Sequence, residues 1–225
     1  MEMNNTTIEY ADFAEYDRRQ RAIERHLLAA FLGGLAVGLL GMFVAGLDTA
    51  WIGQVYDPYA YLALSLAVGA SASGFGWALL TTFLAAVSTL VAAMGASALR
   101  GQDTFQIIGG SAAGLNWTLA LLVALGLLAY GTRRDDAWGD VAAGAVGAAL
   151  IADVVDRSTP GFIGSERSFW PGPALVIGLL SVVLVFLLRR SARGRVRALA
   201  ASALFAGLFT VGLAAFVAGW IPLEV

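Results

Sequence analysis

Residues 59–99 make up 41 consecutive positions without a charged side chain. Nothing else in the sequence restricts the fold as strongly. As a single α-helix this stretch would be about 60 Å long, twice the thickness of a bilayer's hydrocarbon core. A soluble helix would need a polar outer face, and this one has none. The run "SGFGW" offers a break, because Gly74 and Gly76 can turn the chain and Trp77 can anchor an interface. Split there, the block supplies two spans, 59–73 and 77–99. The first is short for a crossing, which leaves a re-entrant segment as the alternative and six spans rather than seven.

The rest of the chain fits the same architecture. Hydrophobic residues make up 59% of it and charged residues 13%, about half the ~25% of a soluble domain. Further apolar stretches lie at about 27–47, 105–130, 137–155, 171–188 and 198–220. The expected fold class is therefore all-α, a polytopic transmembrane helix bundle of seven spans forming a single domain over 27–220. Residues 1–26 precede it as a polar cytoplasmic segment, and 221–225 follow as a short tail. Tyr10, Phe13 and Tyr16 recur at spacing three among mixed charges, so 9–26 is expected to be an interfacial helix.

Arginine sets the orientation. With seven spans and the amino terminus inside, eleven arginines fall on the inner side, while Arg100, Arg157 and Arg167 fall outside. Taking 59–99 as one span divides them seven against seven. The positive-inside rule favours seven helices with the carboxyl terminus outside. Trp51, Trp77, Trp138, Trp170 and Trp220 then fall near interfaces, and Trp117 alone sits mid-span.

Many chemistries are excluded. There is no cysteine, and all fourteen basic residues are arginine. Without lysine a retinal Schiff base cannot form. His26 is the only histidine, so bis-histidine haem ligation and H-E-x-x-H zinc chemistry are absent. No phosphate-binding loop or G-x-S-x-G elbow occurs. Tyr56-Asp57 and Trp138-Gly139-Asp140 are similar to the paired motifs of intramembrane aspartyl proteases. Ala137 replaces that motif's first glycine, however, and the orientation puts the two aspartates on opposite sides. No enzyme activity, cofactor or metal is expected, and the net charge of −2 argues against a nucleic-acid partner. The arginine-only composition points to a prokaryote, and hence to a multi-pass protein of its cell membrane.

The remaining candidates are polar groups within spans. Asp140 and Asp153 lie thirteen residues apart in "WGDVAAGAVGAALIADVVDR", so about 20 Å apart along a helix and on roughly opposite sides of it. An ionised carboxylate inside the hydrocarbon costs about 2.5–3.5 kcal/mol on insertion scales, so each is expected to find a partner, meet water or keep its proton. Arg157 and Arg100 are the nearest cations expected for Asp153. Asn116, beside Trp117, is expected near the middle of 105–130. These four residues (Asp140, Asp153, Asn116 and Trp117) are the candidates for a substrate or ion pathway. "GLAVG" (Gly34, Gly38) and "GSAAG" (Gly110, Gly114) are candidate close-packing sites. The segments "GLAVGLLGMFVAGL" (34–47) and "GLFTVGLAAFVAGW" (207–220) agree at seven of fourteen positions, as a parallel repeat or a shared composition would produce. The leading functional expectation is a small permease-like protein or transporter subunit that binds or moves a small solute. The alternative is a non-catalytic membrane subunit or assembly factor. The bilayer is the expected partner of either, with another membrane protein or a second copy as a further one.

Overall fold

The structure is a computed structural model that describes residues 10–45, 47, 50–101 and 111–218. In chain order the helices are α1 (Tyr10–Ala45), α2 (Ala50–Tyr56), α3 (Tyr59–Ser71), α4 (Phe75–Leu99), α5 (Ala112–Gly131), α6 (Ala137–Ser158), α7 (Gly172–Leu188) and α8 (Ala192–Val217). A short 3-10 turn, Arg167–Phe169, precedes α7. Local chemistry sets several starts. The side chains of Ser111, Asp136 and Ser191 accept from the backbone N–H three residues on, capping α5, α6 and α8. Pro58 and Pro171 open α3 and α7, where a missing N–H costs least.

Five helices are long and apolar enough to cross a membrane: α1, α4, α5, α6 and α8. The chain is a multi-pass membrane protein on that basis. The shorter apolar helix α7 has 17 residues, and α3 has 13, about 20 Å. The turn at 72–74 folds α3 back against α4. The stretch expected as an interfacial helix, 9–26, is described from Tyr10. From there these residues are the first turns of α1, an unbroken rod of 36 residues, about 54 Å long.

α4 and α6 are the buried centre of the bundle. α1 packs mainly on α4, α8 on α6, and α3 on α5. Glycine makes these approaches close. A Cβ on Gly34 would lie 2.0 Å from Ser88 Oγ and 2.5 Å from the Ala85 carbonyl, and one on Gly38 would lie 2.4 Å from the Thr89 carbonyl. Gly69 meets the backbone of Gly126, and Gly144 and Gly147 meet Ala201 and Ser202. Once helices are in lipid, packing of this kind is what holds them together. Buried hydroxyls bond back to their own helix, as Thr89 and Ser181 do. Ser202 also donates across to the Gly144 carbonyl (3.0 Å), tying α8 to α6.

Side-chain bonds sort the helix ends into two groups. At one end Arg133 donates to the Ala72 carbonyl, and Arg189 to the Thr132 and Arg134 carbonyls. At the other, Arg100 donates to the Met42 carbonyl, Gln54 to Glu166 and Tyr59 to Asp153. The second group is called the distal end below. Tyr59, which begins α3, bonds in the distal group, and Ala72, which follows its last turn, bonds in the other.

Candidate functional site

At the distal end, α6 delivers Asp153 and Arg157 one turn apart. Arg157 Nε lies 3.1 Å from Asp153 Oδ2, and the Tyr59 hydroxyl donates to the same oxygen (2.5 Å). The guanidinium also approaches Glu166 Oε1 at 3.7 Å and lies over the rings of Tyr59 and Phe169, 6.0 and 5.7 Å from their centroids. Glu166 is held in turn by Gln54 (2.8 Å), and Asp156 accepts from the Gly164 N–H. Each of these acids has a partner.

Asp57 does not. It lies at the corner between α2 and α3, and its carboxylate makes no ion pair or hydrogen bond among the described residues. It opens onto two adjoining cavities. One, of about 260 Å³, is lined by Gly38, Gly41, Gly53, Tyr56, Tyr61, Ser97 and Arg100 among others. The second, of about 190 Å³, runs past Pro58, Leu62, Thr118 and Leu125 to Asp153. Asp57 and Tyr61 line both. Asp57 is itself solvent-exposed, and the protein around it pushes its carboxyl above the ordinary carboxylate range. The charge of Arg157 opposes that rise, while those of Asp153 and Glu166 add to it. Burial, then the Asp57 charge, likewise raises the Tyr56 phenol.

Two tyrosines shape the larger cavity. Tyr56 donates to the Val37 carbonyl (2.5 Å) and meets Tyr61 edge-on, with centroids 6.1 Å apart. Tyr61 is 7% exposed, yet its hydroxyl has no hydrogen-bond partner among the described residues. Facing a cavity, it has room to bond a guest.

The expected pathway residues go to different places. Asp153 reaches the distal site. Asp140, in the first turn of α6, is buried at the opposite end of that helix. Its Oδ1 lies 2.5 Å from Arg189 Nη2, with side-chain exposures of 7% and 6%, and Arg197 stands 3.7 Å from Oδ2. That pair, together with the carbonyls of Thr132 and Arg134 on Arg189 Nη1, binds α6, the α5–α6 connection and the end of α7 together and leaves Asp140 a structural task. Asp57 and Asp140 cannot share a proton as an aspartyl protease dyad must, since Asp57 shares a cavity with Asp153, about 20 Å along α6 from Asp140.

Asn116 and Trp117 require a correction. The Ser111 cap starts α5 at Ala112, so both lie in its opening turns rather than at mid-span. Both face outward, Trp117 at 77% exposure. Gly110 lies outside the described residues. Gly114 is half-buried and donates its N–H to Ser111 Oγ (3.0 Å). Three site residues escape a reading of the sequence: Asp57 as a binding group, Tyr61, and Glu166. Only the loop position of Asp57, next to an X-Pro step, could have signalled any of them. Among the described residues no group of three or more histidine, cysteine, aspartate or glutamate side chains is placed to hold a metal. No protein-family model matches the chain, and no curated protein or solved structure matches it.

Proposed function

We propose that this chain is a seven-span protein of a prokaryotic cell membrane that binds or moves a small solute, as a permease-like protein or transporter subunit. Its amino terminus is inside and its carboxyl terminus outside, with α3 and α7 counted as spans beside the five long helices. The placement of eleven arginines against three supports that orientation. The distal end is then the outer one, and the cavities around Asp57 open toward the outside.

One observation carries the functional reading. Asp57 is left without a partner, next to the unpartnered Tyr61 hydroxyl, in a cavity whose neighbouring acids are all engaged. Asp57 is solvent-exposed, so its carboxylate stays hydrated and available to a guest at the mouth of the cavity. The non-catalytic subunit remains the second reading. It is favoured by α8, where Leu204, Leu208 and Val211 are exposed on one side of the helix, an apolar face that another membrane protein or a second copy would cover.

The cysteine-free sequence provides the test. Ser97 lines the larger cavity. Gly53 lines it too, and a Cβ added there would meet nothing within 4 Å. Ser97→Cys is expected to react with a membrane-impermeant thiol reagent added outside intact cells. Adding Gly53→Trp to that variant is expected to suppress the reaction by filling the cavity. A thiol that reacts only after the membrane is opened or the protein unfolded would remove the outward solute site and favour the packing subunit.

A further inference from the structure

We infer that the smaller distal cavity takes a primary alkylammonium ion, a single positive charge on a short hydrocarbon chain. This rests on the solute-site reading above and specifies its ligand class. The cavity, of about 190 Å³, lies between the α2–α3 corner, α5 and α6. Among the described residues its lining holds two carboxylates, Asp57 and Asp153, and no basic side chain. The Asp57 carboxylate has no partner there. Asp153 accepts from Tyr59 on Oδ2 and has Arg157 beside the same oxygen, while its Oδ1 accepts no hydrogen bond among the described residues. Tyr61 is an independent sign of a guest. It is 7% exposed, it lines the cavity, and its hydroxyl is unpartnered. Asp57 is near enough for its charge to act on that hydroxyl.

The charges around Asp57 set the sign of the guest. Those that act on it come from Arg157, Asp153 and Glu166. Arg100 lines the other cavity and is not among them. Arg157 is engaged with both of those acids and lies over the rings of Tyr59 and Phe169, outside the cavity lining. Three acids against one guanidinium leave the corner net negative, which repels an anion. The carboxylate of a zwitterion would meet no basic group on this wall. An ammonium brings three donors and no acceptor. On Asp57 it makes a charge-assisted hydrogen bond, and the Tyr61 oxygen can accept a second. Beyond these groups the wall is hydrocarbon, with the buried Leu62, Leu122 and Leu125, and it favours an alkyl chain over a second polar group.

Four probes at constant ionic strength separate the possibilities: n-propylammonium, methylammonium, propionate and 1-propanol. In the detergent-purified full chain, n-propylammonium is expected to raise Tm saturably. It should bind more tightly than methylammonium by about fourfold for each of its two added methylenes. Propionate and 1-propanol, of the same chain length, should have no effect at the same concentration. Asp57→Asn is expected to weaken n-propylammonium binding about tenfold or more, the size of one charged contact, and Tyr61→Phe about threefold. Asp135→Asn, at the opposite end, is expected to leave it unchanged. 1-Propanol acting as well as n-propylammonium overturns the inference in favour of a neutral guest, and propionate doing so in favour of an anion; either leaves the solute-site reading standing. Equal affinity for the two ammonium ions overturns it as well, since the leucine wall then holds no chain, and so does wild-type affinity in Asp57→Asn. No response to any of the four also overturns it, and the reactivity of Ser97→Cys then decides the solute site separately.

Discussion

Breaking the buried pair at the end opposite the distal site is expected to be costly in one direction and mild in the other. Arg189 and Asp140 are 6% and 7% exposed and 2.5 Å apart. Arg189 also satisfies the carbonyls of Thr132 (2.9 Å) and Arg134 (2.7 Å). Arg189→Met removes all of this and leaves Asp140 with only Arg197, which stands 3.7 Å away and is 59% exposed. Removing one partner of a buried pair costs about 3–5 kcal/mol. At roughly 2–4 °C per kcal/mol for a chain of this size, Tm should fall by about 6–20 °C. Asp140→Asn keeps the shape and leaves Arg189 on its two carbonyls, so about 1–3 kcal/mol is expected. The double variant should be more stable than the sum of the single losses by at least about 1 kcal/mol, since it strands no buried charge. Thermal unfolding in detergent of all four proteins gives the cycle. Additive losses, or an Arg189→Met cost no larger than that of Asp140→Asn, would refute the staple and return Asp140 to the pathway candidates.

Other outcomes follow from the same geometry. Gly69→Ala should cost about 1–3 kcal/mol or more, because its Cβ would lie 2.0 Å from the Gly126 carbonyl. Gly178→Ala, with nothing within 4 Å, should be neutral or gain up to about 1 kcal/mol of helix propensity; equal Tm values for the two variants would dismiss the glycine contacts. The fold pushes the Asp57 carboxyl up, an effect that its solvent exposure keeps small. Its ionised form therefore weakens the fold at neutral and alkaline pH, and the penalty fades as pH falls through the raised pKa toward the ordinary value of about 3.9. Asp57→Asn should thus raise Tm at neutral and alkaline pH and lose that advantage in acid, and a Tm that drops at neutral pH would mean Asp57 has a partner. Tyr59→Phe, which removes the donor to Asp153, should cost about 1–3 kcal/mol, measured by the same unfolding. A reporter fused to the carboxyl terminus should work only outside the cytoplasm; cytoplasmic activity would contradict seven spans.

Sequence alone carries the bundle a long way and the site only part of the way. The break in 59–99 is visible because two glycines interrupt an uncharged run, and the structure turns at 72–74. Asp153 and Arg157 can be paired because i,i+4 positions share a helix face. Asp140 offers no such clue. Arg189 is forty-nine positions further on, and no periodicity links the end of one helix to the beginning of another. Asn116 is misplaced by hydropathy, which runs smoothly through 105–130, whereas a hydroxyl cap at Ser111 sets the helix start. Asp57, Tyr61 and Arg100 come from a corner, a helix and a helix end. They line one cavity only when α1 through α4 are packed, so each looks ordinary in its own stretch.

Stopped-flow light scattering on proteoliposomes, challenged in turn with small zwitterionic, cationic and neutral solutes, tests the solute-site reading most directly. At least one class should enter faster than into protein-free vesicles. Gly53→Trp, at a cavity-lining position where an added Cβ would meet nothing within 4 Å, should return that rate to the protein-free value with Tm unchanged. Wild-type rates equal to protein-free rates for every solute, or Gly53→Trp vesicles as fast as wild type, would contradict the account.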